Sequence, residues 1–309
     1  MNAVAEPVQE ICTPKLQRFT SNGYDLDTTT AHFGELRASN DRLRDVSVLR
    51  ERMDREGYLF FRGLLDRETV LDARREVAER LAKEGYLDPS EPLMNCVAAK
   101  NYKKSFMPEV TLKNSALRSV LYDGAMTEFF TRFLGGEIRH FDFTWFRAVA
   151  PGHGTASHCD IVYMGRGTKQ LYTAWTPIGD VDFKQGGLMI LESSNNNQRL
   201  RSTYGKMDVD TFCENKPGVH GWLRGGHLSR NPNHIRKMLG GRWLTTEYRA
   251  GDVLLFSAYT VHASLDNGSN QIRLSSDSRY QLASEPVDER WVGENPVGHG
   301  QAGKRGRIC

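Results

Sequence analysis

Apolar positions in the first half of the chain recur at helical spacing, whereas in the second half they alternate. Between Asp41 and Gly57 the segment DRLRDVSVLRERMDREG gathers its large apolar residues on one face, which predicts an amphipathic helix stopped by the glycine. The run YLFFRGLL follows and predicts a short buried strand. Asp66 then stands where a helix cap belongs, ahead of Val70, Ala73, Val77 and Leu81 at helical spacing, with Gly85 as terminator. Another helical run is predicted from Ala116 to Leu134, closing at Gly135 and Gly136.

From Ile138 onward the pattern changes to short segments rich in β-branched and aromatic residues and punctuated by glycine. HFDFTWFRAVA, HCDIVYM, QLYTAWTPI, GGLMILE, WLTTEY, DVLLFSAYTVHAS and QIRLSSDSRY all read as strands. Helices followed by a run of strands predict an α+β chain with a mainly β core, a sandwich or small barrel. No internal repeat or linker divides it. The expected organisation is an irregular N-terminal arm over residues 1–40, one domain over 41–285 and a C-terminal tail over 286–309. Residues 195–242 interrupt the strands with a long insert rich in Gly, Arg, Asn and His, of the kind that serves as a lid or binding loop or stays disordered.

Charge and cysteine usage narrow the function classes. A formal charge of +3 is too small over 309 residues to suggest a nucleic-acid or membrane partner. The N-terminus lacks the apolar core of a signal peptide, and no apolar run is long enough to span a bilayer. Five scattered cysteines, none spaced C-x-x-C, argue against a disulfide framework or zinc knuckle and predict a reducing, cytoplasmic location.

The stretch SHCDIVYM places His158 and Asp160 two apart, so on a strand both project to one side. By itself such a pair is equally a hydrogen-bonded couple on a polar face. An imidazole beside a carboxylate is also two thirds of a 2-His-1-carboxylate set, which lacks only a second histidine. His262, in AYTVHASLDNGSNQIRLSS, is the candidate. Asn267-Gly268 between two alternating runs predicts a hairpin, and a two-residue loop there sets His262 directly across from Arg273. Ser264 and Ser275 fall on the same face in that register. His153 reads as a turn residue, and His220, His227 and His234 as part of a solvated loop.

These segments resemble the phytanoyl-CoA dioxygenase family of Fe(II)/2-oxoglutarate oxygenases. The resemblance rests on H-C-D at 158–160, on the glycine pair of QGGLMILESSN, and on GDVLLFSAYTVHASLDNGSNQIR with its H-x-S and later arginine. REGYLFFRGLLDRETV adds the family's opening helix–strand–helix. It implies a double-stranded β-helix, related to jelly rolls and cupins, with N-terminal helices packed on one side. His158, Asp160 and His262 would then bind Fe(II), and Arg273 would grip the distal carboxylate of 2-oxoglutarate through its planar fork. Ser264 or Ser275 would assist, and Thr173 would line the cosubstrate pocket. The implied reaction couples O2 and decarboxylation of 2-oxoglutarate to oxidation of a substrate C–H bond, with release of succinate and CO2. Halogenating members carry a small residue at the carboxylate position, so Asp160 speaks for oxygenation, or for desaturation or ring closure.

Two other readings stand beside this one. A cupin-like metal-dependent isomerase or hydrolase would use the same ligands without needing Arg273, and a non-catalytic β-sandwich would use none of them. For the substrate, Arg166 and Arg279 are candidate partners of an anionic group and Tyr163 a candidate at the pocket mouth. Between residues 199 and 237 eight basic residues face three acidic ones, which suits an anionic or polar small molecule, although such charges also simply face water.

Overall fold

The computed structural model describes residues 18–112, 114–211 and 226–299. A small hairpin of β1 (Thr20–Ser21) and β2 (Tyr24–Asp25) precedes β3 (Phe33–Glu35). Next come α1 (Val46–Glu56), β4 (Tyr58–Phe61), α2 (Arg67–Lys83), α3 (Ser115–Tyr122) and α4 (Gly124–Leu134). The sheet-rich half begins with β5 (Ile138–His140), β6 (Trp145–Val149), α5 (Ile161–Met164), β7 (Tyr172–Pro177) and β8 (Leu188–Leu191). It continues through α6 (Gln198–Ser202), α7 (Pro232–Leu239), β9 (Trp243–Thr245), β10 (Val253–Ser257), β11 (His262–Ser264) and β12 (Arg273–Leu282).

Local chemistry accounts for the helix ends. Asp45 accepts from the Val48 amide at 3.2 Å and Asp66 from the Thr69 amide at 2.8 Å, each satisfying a donor that the first turn leaves free. Gly57 ends α1 at φ 82°, a conformation that costs other residues a steric penalty. The helical run predicted over 116–134 is two helices, because Asp123 is extended and Gly124 takes φ 52° between them.

Six strands form one sheet in the order β4-β10-β7-β12-β5, with β6 also paired to β12; a second sheet runs β11-β8-β9-β3. Alternation sorts the residues of the larger sheet. Leu59, Phe61, Ala174, Val253, Leu255, Leu274 and Tyr280 face outward and join the apolar face of α1 to α4 in one core. Phe60, Trp175, Leu254 and Phe256 face inward, where they pack on Leu188, Ile190, Leu244 and Tyr248 of and beside the smaller sheet. The inward positions of β12 are different: Arg273, Ser275, Asp277 and Arg279 are all buried and polar.

The expected hairpin does not form. β11 pairs with β8, placing His262 opposite Ile190, while β12 pairs with β6, placing Arg273 opposite Val149. The connection is an arch from one sheet to the other. Neither Asn267 nor Gly268 takes the positive φ that a type I′ turn requires. Asn267 is instead buried, and its amide donates to the carbonyls of Val149 and Gln271 at 3.0 and 2.7 Å. DVLLFSAYTVHAS likewise splits into β10 and β11, one strand for each sheet. Part of the supposed irregular arm is ordered too: β3 runs parallel to β9 and covers an edge that would otherwise expose unpaired backbone groups. Past 286, Trp291 is buried against Trp145, with ring centroids 4.7 Å apart. Among the described residues no helix is long and apolar enough to cross a membrane.

Phe61 links the sheet to the helices, fully buried and 5.1 Å from the Phe129 ring in an edge-on contact. Phe61→Ala is expected to lower unfolding free energy by about 3–5 kcal/mol, read from urea denaturation, because the rigid layers on either side cannot collapse into the space.

Candidate metal centre

His158 and His262 face each other across an antiparallel bridge. Each backbone N–H donates to the other's carbonyl at 3.0 Å, so two residues distant in the chain are fixed side by side. The chain then leaves the extended conformation: Asp160 has φ −66° and ψ −25° and opens α5. HCDIVYM is therefore a strand end followed by a helical turn, not the predicted strand. Ile161, Val162 and Met164 are all buried against the apolar cluster behind the smaller sheet, a demand that the turn meets. Cys159 points into the same cluster and plays no part in the site.

The ligand atoms offered by His158, Asp160 and His262 lie within 4.8 Å of one another, and all three residues are buried. Each imidazole Nε2 is 3.7 Å from Oδ1 of Asp160. Nδ1 of His158 donates to the Ala156 carbonyl at 2.8 Å, and Nδ1 of His262 to the Thr260 carbonyl at 3.0 Å. A carbonyl only accepts, so each ring keeps its proton on Nδ1 and turns a bare Nε2 lone pair to the shared point. The second carboxylate oxygen is already committed, since Oδ2 of Asp160 accepts from Thr173 Oγ1 at 2.5 Å and from Arg279 Nη2 at 2.9 Å. Only Oδ1 is left for a metal. Two imidazole nitrogens and one carboxylate oxygen so close together are a donor set that would hold a divalent first-row ion.

Electrostatics keeps the donors in their binding forms. Burial, with the neighbouring His262, holds His158 down to about 3, and burial also lowers His262, so both rings are neutral at physiological pH. Burial alone would raise Asp160. Arg279, the two histidines and Thr173 outweigh it, and the carboxyl stays below its usual range.

A second group of polar atoms lies on the inward face of β12. Arg273 is fully buried, with one Nη donating to the Gly186 carbonyl, while its Nε and the Ser275 hydroxyl have no partner among the described residues. Burial and nearby Arg147 bring this guanidinium down to about 10, which still leaves it charged at neutral pH. A buried cation with unused donors calls for an anion, and a carboxylate matches its fork. The glycine pair noted in the sequence permits this packing: a Cβ on Gly186 would sit 2.5 Å from the Asp266 carbonyl oxygen, and one on Gly187 2.5 Å from the Tyr248 ring.

The remaining candidates separate clearly. Ser275 shares the face of Arg273, whereas the Ser264 hydroxyl sits on the opposite sheet and accepts from the Thr155 amide at 2.8 Å. Thr173 bonds to Asp160. Arg166 pairs with Asp208 at 2.6 Å and is not among the residues lining the cavity beside the triad. That cavity, about 330 Å³, is lined by His158, Asp160, Tyr163 and Arg279 together with Phe106, Trp145, Arg147, His227 and His299. Phe106, Trp145, Arg147 and His299 were not singled out from the sequence, and His227, read there as part of a solvated loop, instead lines the cavity. For Arg147 a signal existed, because it alternates with the buried Phe146 and Ala148. His227 lies in the insert and His299 in the tail, so both contribute to the wall; residues 212–225, including His220, lie outside the described ones.

Two outcomes follow from this geometry. Between pH 6.5 and 3 the unfolded His158 binds a proton that the folded one refuses, and Asp160 acts in the same direction at lower pH. Chelator-treated protein is therefore expected to show a lower urea midpoint at pH 5 than at pH 7.5; equal or greater stability in acid would contradict the buried neutral rings. Arg279→Gln removes the charged one of the two donors on Oδ2 of Asp160, leaving Thr173, and is expected to weaken Co(II) binding about 10–100-fold, the range for groups that orient metal ligands. Arg279→Lys should recover part of that loss.

Comparison with known proteins agrees with the arrangement. Two curated relatives, both 1-deoxypentalenic acid 11-beta-hydroxylases, from Streptomyces exfoliatus and Streptomyces arenae, are each 26% identical over 253 residues, covering 78% of this chain and 83% of theirs. Among solved structures, the epimerase SnoN in complex with Fe3+, alpha ketoglutarate and nogalamycin RO aligns with TM-score 0.54 at 19% identity, covering 83% of this chain and 94% of that one. The non-heme alpha ketoglutarate dependent carbocyclase SnoK, from nogalamycin biosynthesis, gives TM-score 0.55 at 18% identity, covering 81% and 86%. At these identities the two structures speak for the fold. The profile of the phytanoyl-CoA dioxygenase family matches residues 53–275, and this chain, an iron- and 2-oxoglutarate-dependent oxygenase, belongs to that family.

Proposed function

We propose that His158, Asp160 and His262 hold the iron, that Arg273 with Ser275 takes the distal carboxylate of 2-oxoglutarate, and that the enzyme hydroxylates a C–H bond of a small molecule. The observation that carries this is the convergence of two bare Nε2 atoms and one carboxylate oxygen, beside a buried arginine with unused donors. The hydroxylase relatives support hydroxylation as the outcome. The two facing sheets with helices on one side support a double-stranded β-helix to which β3 belongs as well as the strands beyond residue 41, and the free buried thiols Cys96 and Cys159 fit a reducing cytoplasm.

Iron and 2-oxoglutarate, when bound, supply the reduction of O2, with two electrons from decarboxylation to succinate and CO2 and two from the substrate C–H bond. The chain's own side chains prepare that chemistry. Thr173 and Arg279 restrain Asp160 to a single ligand oxygen, which keeps a position open. Phe256 packs on His262 with ring centroids 4.4 Å apart, fixing the imidazole and excluding water behind it. Asp160 also fills the carboxylate position, in keeping with oxygenation. A cupin-like isomerase or hydrolase would leave the buried Arg273 without a purpose.

His262→Ala is expected to abolish stoichiometric iron binding, measured by metal analysis after desalting. Arg273→Gln is expected to raise the 2-oxoglutarate KM by about 30-fold to several thousand-fold, from about 2–5 kcal/mol of lost charged hydrogen bonding, with iron retained. An unchanged 2-oxoglutarate KM would remove Arg273 from the cosubstrate site.

A further inference from the structure

Charge on the inner face of the larger sheet does not balance. Arg147, Arg273 and Arg279 project inward, and the carboxylates set among them are Asp160 and Asp277. Arg279 is spent on Asp160, at 2.9 Å, and also lies 3.8 Å from Asp277. Asp277 is mostly engaged by Arg147, whose Nε donates to it at 3.1 Å. On the iron and 2-oxoglutarate reading proposed above, the dication and the dianion cancel one another. One positive charge then remains in a site largely removed from water, where an unmatched ion is costly.

Its location is specific. Only the Nε edge of Arg147 is engaged, by Asp277, and no group among the described residues accepts from its two terminal nitrogens. The side chain is about a quarter exposed and lines the cavity that contains His158 and Asp160. The Phe106 ring lies 5.5 Å from the guanidinium carbon and confines it on one side. Trp145 and Met164 extend this apolar side, while Thr155, Tyr163, His227 and His299 add polar groups elsewhere in the lining, so the cavity joins one oriented cationic fork to an apolar wall. A volume of about 330 Å³ lies at the small end of ligand sites.

We propose that Arg147 anchors a single carboxylate of the substrate through its terminal nitrogens, and that the substrate is a compact, otherwise apolar monocarboxylic acid lying against Phe106, Trp145 and Met164. An acid held this way presents its hydrocarbon body to the metal position, because the anchor and the triad line the same small cavity. Asp277 is a positioning residue that holds the Arg147 fork.

The test uses holoenzyme with Fe(II) and 2-oxoglutarate under anaerobic conditions, read by the visible absorption that 2-oxoglutarate gives on ferrous iron. A panel of cyclic monocarboxylates, from cyclopentanecarboxylate to 1-adamantanecarboxylate, is titrated beside the matching primary amides. At least one acid is expected to perturb the band saturably and to bind about tenfold or more tightly than its amide, as loss of a charge-assisted fork contact implies. In Arg147→Gln that preference is expected to collapse to within a factor of about two, and Arg147→Lys should recover part of it, since it restores charge without the fork. Wild-type protein that binds amides as well as acids, or that answers no member of the panel while its band forms normally, overturns the anchor alone. So does an Arg147→Gln protein whose main defect is in 2-oxoglutarate binding, which would assign the arginine to the cosubstrate. If 2-oxoglutarate produces no band in the wild type, the metal and cosubstrate reading itself has failed.

Discussion

A buried carboxylate with one oxygen already committed is the constraint on which the site depends. Oδ2 of Asp160 is held by Thr173 on β7 and Arg279 on β12, both in the larger sheet, while Asp160 itself follows directly on the bridge to β11 of the smaller one. A carboxylate alone in such surroundings would be strongly destabilised as an anion. Paired with a guanidinium and a hydroxyl, it stays ionised and cannot rotate. The same contacts join the two sheets at the point where His158, Asp160 and His262, the proposed metal ligands, meet. Rigidity of the fold and readiness of the ligand thus have one physical origin.

Around that point the interior is divided by chemistry. At one end Phe60, Trp175, Leu254 and Phe256 pack against Leu188, Ile190 and Leu244 with no charge among them. Along β12 the inward positions are Arg273, Ser275, Asp277 and Arg279, an unusual content for a buried strand. Burying so many polar groups is costly unless they meet partners, and several donors on this face meet none among the described residues. Such an interior costs stability and fits the proposed recognition of charged small molecules, and the helices packed on the outer face supply compensating apolar burial.

The insert and the tail complete the cavity from opposite parts of the chain. His227 comes from one and His299 from the other. Behind them Arg290 is ringed by Asp208, Asp210 and Asp288, with Arg166 also on Asp208. That buried ion cluster ties the start of the insert to the tail. Its position explains why Arg166 holds a wall instead of facing the substrate.

Much of this was legible along the chain. Helical spacing and caps located α1 and α2, alternation located the strands, and H-C-D with a later histidine and arginine named the candidate ligands, because these features depend on neighbours in sequence. Asn267-Gly268 misled for the same reason: local turn preference was overridden once the Asn267 amide found the Val149 carbonyl inside the fold. His262 still belongs to the site although it pairs with Ile190 and bridges to His158, not to Arg273. Side-chain direction on facing sheets brings the groups together without a shared hairpin. The grip of Thr173 and Arg279 on Asp160, and the free fork of Arg147 above it, were decided only in three dimensions, since a sheet face collects residues from strands that no local pattern orders.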